Sequence, residues 1–571
     1  MSKWRTRVLC SLAGVLVIAG SASTALATAT CGDLNTSGGR DAGDAVRMNL
    51  AINVGPSAAD CGASGSLQCG DLNKDSSLDV ADLVFMVQLL AGTNTLLAPC
   101  TGFSDGGTQC GGNIPTQINS NYVVRGTSSG CNAVSFVDGP TFVNAPAVLT
   151  VEPGAIVAGK RTSTSGDPSV LVIARGAKIN AAGLQNTPIV FTSDHAQILG
   201  GTGGQLADWG GVELLGRAPV NFPGGTGNAE GLPLGQGIFG GNDPNDNSGV
   251  IRFARIEFSG ISITPDNELN VLTQNGIGRG TTIDHVQANA GGDDCFEWFG
   301  GTIREKYLLA TSCQDDNFDW QIGFTGGLQF GLTYQNMNTS PQVVSGSQGF
   351  EGDNSEFGFD LEPRSNPNFC NCTMIGARQQ TGGGAAGRAA INARRGTAGK
   401  IYNTLMVDWT NGFKIDDTAT LQQSCTASGL KTTEPFLGVK NVKMFNTAGS
   451  GGDQSTGSAT GGPAFCPTAD DLYNAWGAAG LIDPASNLGA GTDPMLGGVS
   501  EGTAGGITGT FPASVDDRYF PPAGTLTAAP CGLEPDFFDP TANYIGAFKP
   551  GGSTGGGDNW LVGSWVNFAT Q

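Results

Sequence analysis

The stretch that decides the fold runs from Ile283 to Phe324. It holds one block written twice: Asp293-Asp294-Cys295-Phe296-Glu297-Trp298, then Asp315-Asp316-Asn317-Phe318-Asp319-Trp320. The two copies lie 22 residues apart. The same offset relates Leu149, Val151 and Gly154 to Leu171, Ile173 and Gly176. A short fixed period in a chain rich in Gly, Val and Ile is the mark of a solenoid. At roughly 3.3 Å per strand residue, one such period suits a closed coil of short strands and turns. Equivalent positions then stack about 4.8 Å apart on neighbouring coils. The expectation is a mainly β protein whose large domain is a parallel β-helix.

Alternation along a strand places Phe296 and Trp298 on one face and Glu297, with Asp293, on the other. The aromatics, stacked on Phe318 and Trp320, become core, and Glu297 and Asp319 become an outward acidic ladder. Two stacked carboxylates about 5 Å apart repel by roughly 3 kcal/mol at an effective dielectric near 20. A cation, a shared proton or splaying into solvent must offset that. Asp293, Asp294, Asp315 and Asp316 are therefore the candidate acidic centre of a polysaccharide lyase or glycoside hydrolase. An inverting glycosidase would hold its carboxylates roughly 6.5–9.5 Å apart. The preferred reading is structural, with turn-forming aspartates and solvated outer positions. The Asp-Asp pairs resemble those of polygalacturonases, without that family's His-containing motif. His195 and His285 are the only histidines, so neither a zinc site nor a Ser-His-Asp set has plausible members.

Composition points outside the cell. Lys3, Arg5 and Arg7 precede an apolar run from Val8 to Gly20, and Ala25-Leu26-Ala27 supplies a cleavage site, so residues 1–27 read as a secretory signal. That run is too short to span a membrane. A net charge of −21 argues against nucleic acid and against insertion into an anionic membrane, and suits a secreted or cell-surface protein that binds cations. Fourteen cysteines in an exported chain read as disulfides, with an odd one over once Cys10 leaves with the signal.

Residues 31–100 form a module with its own repeat, because Cys31-Gly-Asp-Leu-Asn returns as Cys69-Gly-Asp-Leu-Asn. In the second copy Asp71, Asn73, Asp75, Asp79 and Asp82 occupy positions 1, 3, 5, 9 and 12 of an EF-hand-type loop, with the Ser77 carbonyl at position 7. The first copy offers Asp33, Asn35, Ser37, Asp41 and Asp44, with the Gly39 carbonyl at position 7. A hard cation needs six to eight oxygens, and alternate residues of a tight loop turn inward together. Calcium is the implied cofactor. An apolar helix, Leu83 to Leu90, follows the second loop, and a weaker one, Ala45 to Ile52, follows the first. Matched spacing predicts Cys31–Cys61 and Cys69–Cys100 bridges.

These residues resemble the paired loop-helix repeats of a type I dockerin, the calcium-dependent module that binds cohesins in bacterial polysaccharide-degrading assemblies. The resemblance implies a cohesin-like or other protein partner. The family reads that partner through loop positions 10 and 11, here Ala42-Gly43 and Val80-Ala81, where cellulosomal members carry a Ser/Thr pair.

Residues 101–116 read as a linker in which Cys110 and Cys131 are possible bridge partners, and 117–422 as the β-helix. Strand patterns cover Val148–Val157, Val170–Ile179, Pro188–Ser193 and Asp208–Leu214, and resume from Val250. Long surface loops are expected over Asn221–Ser248, Gln335–Gly346 and Gly382–Gly387. Beyond Gln422 the period is lost, and residues 423–571 read as an irregular region that caps the solenoid and packs on it. Its clear helix is Thr468 to Leu481, with Thr468 and Asp471 as a capping pair. Cys295, Cys313, Cys370 and Cys372 allow more than one pairing.

The segments Leu149-Thr-Val-Glu-Pro-Gly, Arg175-Gly-Ala-Lys-Ile-Asn, Asp208-Trp-Gly-Gly and Tyr544-Ile-Gly-Ala-Phe resemble an uncharacterised group of secreted bacterial β-helix-like proteins. That resemblance spans Asn113 to the C-terminus and implies a right-handed β-helix; it carries over no active site. Three readings follow. The leading one is an exported, calcium-binding, non-catalytic protein whose dockerin-like module attaches a rigid β-helix to a partner or the cell surface. The others are a polysaccharide-active lyase or hydrolase, and a self-assembling extracellular structural protein.

Overall fold

The computed structural model describes residues 108–264, 267–335, 347–376, 388–407, 409, 411–445, 458–483, 523–552 and 559–567. They belong to one compact unit, 105–571. The calcium loops, the Cys31–Cys61 and Cys69–Cys100 pairs and the loops around 336–346 and 382–387 lie outside the described residues.

Parallel pairing dominates. One ladder of ten strands runs through Val170–Ile173, Val212–Leu215, Leu272–Asn275, Phe296–Phe299, Phe318–Gln321 and Phe350–Asp353, each joined to the next coil's equivalent. The remaining long sheet supplies the other two faces of each coil. In Gly249–Glu257, residues 249–252 continue the strand Lys178–Ala182, and residues 254–256 continue Ile189–Ser193. The bend between the two halves falls on Phe253, and on His285, Tyr307 and Phe330 in the next coils, all with positive φ. A β-helix is thus built on three faces, with short strands rich in Val, Ile and Phe that suit a pleated, buried surface.

The parallel β-helix is borne out; one of its supposed periods is not. Phe296 pairs with Phe318, so the doubled block is a true coil repeat. Leu149, however, pairs with Ile179, while Leu171 belongs to a different face and pairs with Thr141. What the early segments share is a corner, not a coil. Gly154 (φ +77°) and Gly176 (φ +89°) make the same tight turn, in which Ala155 N–H donates to Glu152 O and Ala177 N–H to Ala174 O. Both glycines sit in the left-handed region that residues with a Cβ disfavour.

The ladders also run further than 117–422. They begin with Thr108–Gln109 and include Leu437–Lys440, Val442–Phe445 and Ile482–Asp483. Those terminal strands are only two to four residues long, too short to show a period in sequence. Helix Ala469–Ala478 starts at a capping box, Thr468 Oγ1 accepting from Asp471 N–H, and lays Trp476 against Phe413 of the last strand of the ten-strand ladder. The described disulfides are Cys110–Cys131, Cys295–Cys313, Cys370–Cys531 and Cys425–Cys466, with Cys372 a buried free thiol.

Inside the coils the doubled block behaves as patterned. Phe296 stacks on Phe318 with centroids 5.3 Å apart, Phe350 meets Phe318 edge-on at 5.4 Å, and Trp298 lies parallel to Phe324 at 5.2 Å. Where a third tryptophan would follow Trp298 and Trp320 stands Gly352; a Cβ there would come within 2.0 Å of the Trp320 ring. On the outside, Trp560 packs on Phe548 and Tyr307, and Trp565 on Phe253 and His285. The closing segment is held there by Arg255 donating to Ser564 O and Gln287 donating to Asn567 O.

Candidate functional site: a buried acidic ladder

The site is the outer face of the ten-strand ladder. Register brings Glu213, Thr273, Glu297, Asp319, Glu351 and Asn392 into one row, one residue per coil. Intervals in sequence vary because loops interrupt the coils: Asp294 and Asp316 are 22 residues apart, Glu351 and Asn392 41.

The solvated outer ladder expected from alternation is corrected here. Glu297, Asp319 and Glu351 do face outward, yet they are only 5%, 7% and 7% exposed. The segment from Asn221 onward is not a free surface loop. It folds down as a flap whose Phe222, Leu232 and Phe239 cluster with Leu215, Phe299 and Ile322 of the ladder. Gly227–Asn228 and Ile238–Phe239 pair antiparallel within it. Asn221 anchors it by donating to Asn354 Oδ1 at 3.0 Å.

The four candidate aspartates divide into two pairs. Asp294 and Asp316 sit just before their strands and serve the backbone. Asp316 N–H donates to Asp294 Oδ1 at 2.7 Å, Gln348 N–H donates to Asp316 Oδ1, and Ala389 N–H donates to Gln348 Oε1 at 2.6 Å. Asn270 begins the series by accepting from Asp294 N–H. Side chains here cross-link coil to coil where the turn interrupts regular pairing. Asp293 and Asp315 lie further out, half-buried and exposed respectively.

Ionisation on this face is suppressed. Burial pushes the carboxyls of Asp294, Glu297, Asp316 and Asp319 well above the ordinary carboxylate range, and each neighbour's charge adds to the effect. Asp293 is pushed up to about 8, by burial first and then by Asp315. Glu351 reaches about 7, raised by burial and pulled back by Arg394. Arg394 pairs with Glu351 and, at 2.8 Å, with Asp353, which also meets Arg395 at 2.6 Å. Glu305 lies on the inner side, where burial pushes it to about 8 and Gln274 and Trp298 donate to it.

Two carboxylate groups have donor atoms within 4.8 Å of one another: Asp294 with Glu297 and Asp319, and Asp316 with Asp319 and Glu351. A third unites Asp293, Asp294 and Asp315. This is closer than the roughly 6.5–9.5 Å that an inverting glycosidase keeps for its water. His285 is far from such duty, stacked between Phe253 and Tyr307 at 4.5 and 4.4 Å. The sequence reading missed Glu351, Thr273 and Arg394. A signal for the first existed, since Phe350-Glu351 repeats the Phe-acid pair of Phe296-Glu297 and Phe318-Asp319.

A three-faced parallel β-helix with an acidic row on one wall defines the class, and the family comparison agrees. The chain belongs to the family of the pectate-lyase-like β-helix domain, whose model matches residues 131–476. No curated protein and no solved structure matches it. No helix among the described residues is long and apolar enough to cross a membrane.

Proposed function

We propose that the protein is exported and that its β-helix is a non-catalytic scaffold, attached to a protein partner or the cell surface by the calcium loops of residues 31–100. The observation that carries this reading is the covered state of the acidic row. Glu297, Asp319 and Glu351 lie beneath 10% exposure. Asp294 and Asp316 are engaged with backbone N–H groups of the next coil. A polymer-cleaving site needs its acid and base within hydrogen-bond reach of the substrate, and these carboxylates offer little surface to one. The disulfides and the family fit an extracellular setting.

A polysaccharide lyase or hydrolase is the second reading, favoured by the family and by Arg394 beside the row. One screen separates the two. The full chain with calcium, offered a panel of acidic and neutral polysaccharides, should release neither reducing nor unsaturated ends. Release that disappears in Asp293→Asn would replace the scaffold with the enzyme. For the attachment, calcium-dependent retention on a cohesin-bearing surface should vanish when Asp33, Asp44, Asp71 and Asp82 are all changed to Ala.

A further inference from the structure

Asn366, Lys400 and Glu434 come from three consecutive coils, each 34 residues after the one before. They stand on or just before the strands Asn368–Cys370, Gly399–Tyr402 and Leu437–Lys440, which pair in that order. Backbone bonds fix their approach: Lys400 N–H donates to Pro367 O at 2.8 Å, and Gly399 N–H to Phe436 O at 3.1 Å. The Lys400 side chain is only 4% exposed, and its Nζ donates to Asn366 Oδ1 at 2.8 Å. Glu434 Oε2 accepts from the same Nζ and, at 3.0 Å, from Asn366 Nδ2. The Phe436 ring lies 4.8 Å from Nζ and walls the cluster. An amine, a carboxamide and a carboxylate in contact with both are thus held together. Burial pulls the Lys400 ammonium below the ordinary lysine range, against the pull of Glu434 and Glu534. That enlarges the share of free amine, the nucleophilic form.

We propose that Lys400 and Asn366 become joined by an isopeptide bond, formed within the folded chain with Glu434 as proton carrier. Glu434 takes one proton from Nζ, whose freed lone pair attacks Asn366 Cγ. The Nζ–Cγ bond forms, and Glu434 delivers that proton to Nδ2 as the Cγ–Nδ2 bond breaks. The excess proton left on Nζ departs with the ammonia as ammonium. A lysine ammonium and a carboxamide thus give a secondary amide and ammonium, with no change of oxidation state. Well-oriented intramolecular groups reach effective molarities of about 10⁵–10⁸ M, which brings an otherwise inert amide to react. Glu434 is 60% exposed, so the cluster opens to water where ammonia must leave. The bond ties neighbouring coils whatever the β-helix does. Unlike the Cys370–Cys531 bridge from the same strand as Asn368, it survives reductant.

Peptide mass spectrometry of the full chain, reduced and denatured before digestion, tests the bond. Trypsin should fail to cut after Lys400, and a branched peptide should join the Asn366 and Lys400 segments. Its mass should be one ammonia less than that of its two arms together. Fragment ions from both arms separate this bond from ammonia loss elsewhere in the chain. Glu434→Gln, shown to be folded by its thermal melt, should yield the two segments unlinked. Asn366→Ala is the second variant, to be read if the first does not fold, and trypsin should cut it after Lys400. Linear peptides alone from the parent, or a branch at Lys400 persisting in Asn366→Ala, would overturn the proposal. A branched peptide at parental yield from Glu434→Gln would overturn the part given to Glu434.

Discussion

Strands Phe296–Phe299, Phe318–Gln321 and Phe350–Asp353 have two faces that meet their demands in opposite ways. Inward, Phe296, Trp298, Phe318 and Trp320 are fully buried, and each ring finds another ring to pack on. Outward, Glu297, Asp319 and Glu351 are nearly as buried, but ionising each would add charge of the same sign. Stacking identical apolar groups coil on coil is favourable. Stacking identical charges is not. The same periodicity thus makes one face self-sufficient and leaves the other dependent on Arg394 and on amide donors. A solenoid can carry such a face because the inner one supplies stability.

Three measurements sharpen or break that contrast, beginning with the largest effect. Trp298→Ala should destabilise the β-helix by about 3–5 kcal/mol in chemical denaturation, the usual range for emptying a buried indole site. It also leaves Glu305 without the 2.7 Å indole donor. A loss below about 1 kcal/mol would mean the inner stack is not what holds the coils.

The next effect is on pH, measured in chelator. An acid whose value is higher folded than unfolded binds more protons in the native state, so stability falls as pH rises. The unfolded values lie near 4, whereas Glu351 reaches about 7 and Asp293 about 8. Stability should be greatest below pH 4 on this account and should decline through pH 7 to 8. Glu351 alone should account for about 3 kcal/mol of the decline, with Asp293 adding to it. A profile that rises over that window would contradict the buried, protonated row.

The smallest effect belongs to Asp294→Asn. An amide oxygen can still accept from Asp316 N–H, and one negative charge leaves a crowded wall. Stability in chelator should change by less than about 1 kcal/mol, in either direction. A large loss would show that the carboxylate's charge, rather than its acceptor oxygen, joins the coils.

Much of the fold was legible because its causes are local. Phe296-Glu297-Trp298 and Phe318-Asp319-Trp320 state both the strand period and the coil repeat. Thr468 and Asp471 announce a helix start through their own reciprocal hydrogen bonds. The match of Leu149 with Leu171 misled for the same reason: a shared Gly turn is a local feature, and it recurs at any corner of a coil. The pairing of Cys370 with Cys531 lies across 161 residues and has no local trace.

By itself, the sequence determined that this chain winds into a parallel β-helix and which side chains of its central coils turn inward. Alternation and period are properties of neighbouring residues, and the backbone enforces them wherever strands form. Only the tertiary structure decided that the outward acids would be covered. Beside that row a flap from Asn221 to Phe239 packs on Leu215, Phe299 and Ile322, from strands distant in sequence. It decided, too, that Glu351 and Arg394 would join them, since coil intervals of 22 and 41 residues hide that row from any fixed period. Carboxyls that sequence alone would assign to solvent become a site when the folded chain buries them, because burial removes the water that would otherwise screen their charge.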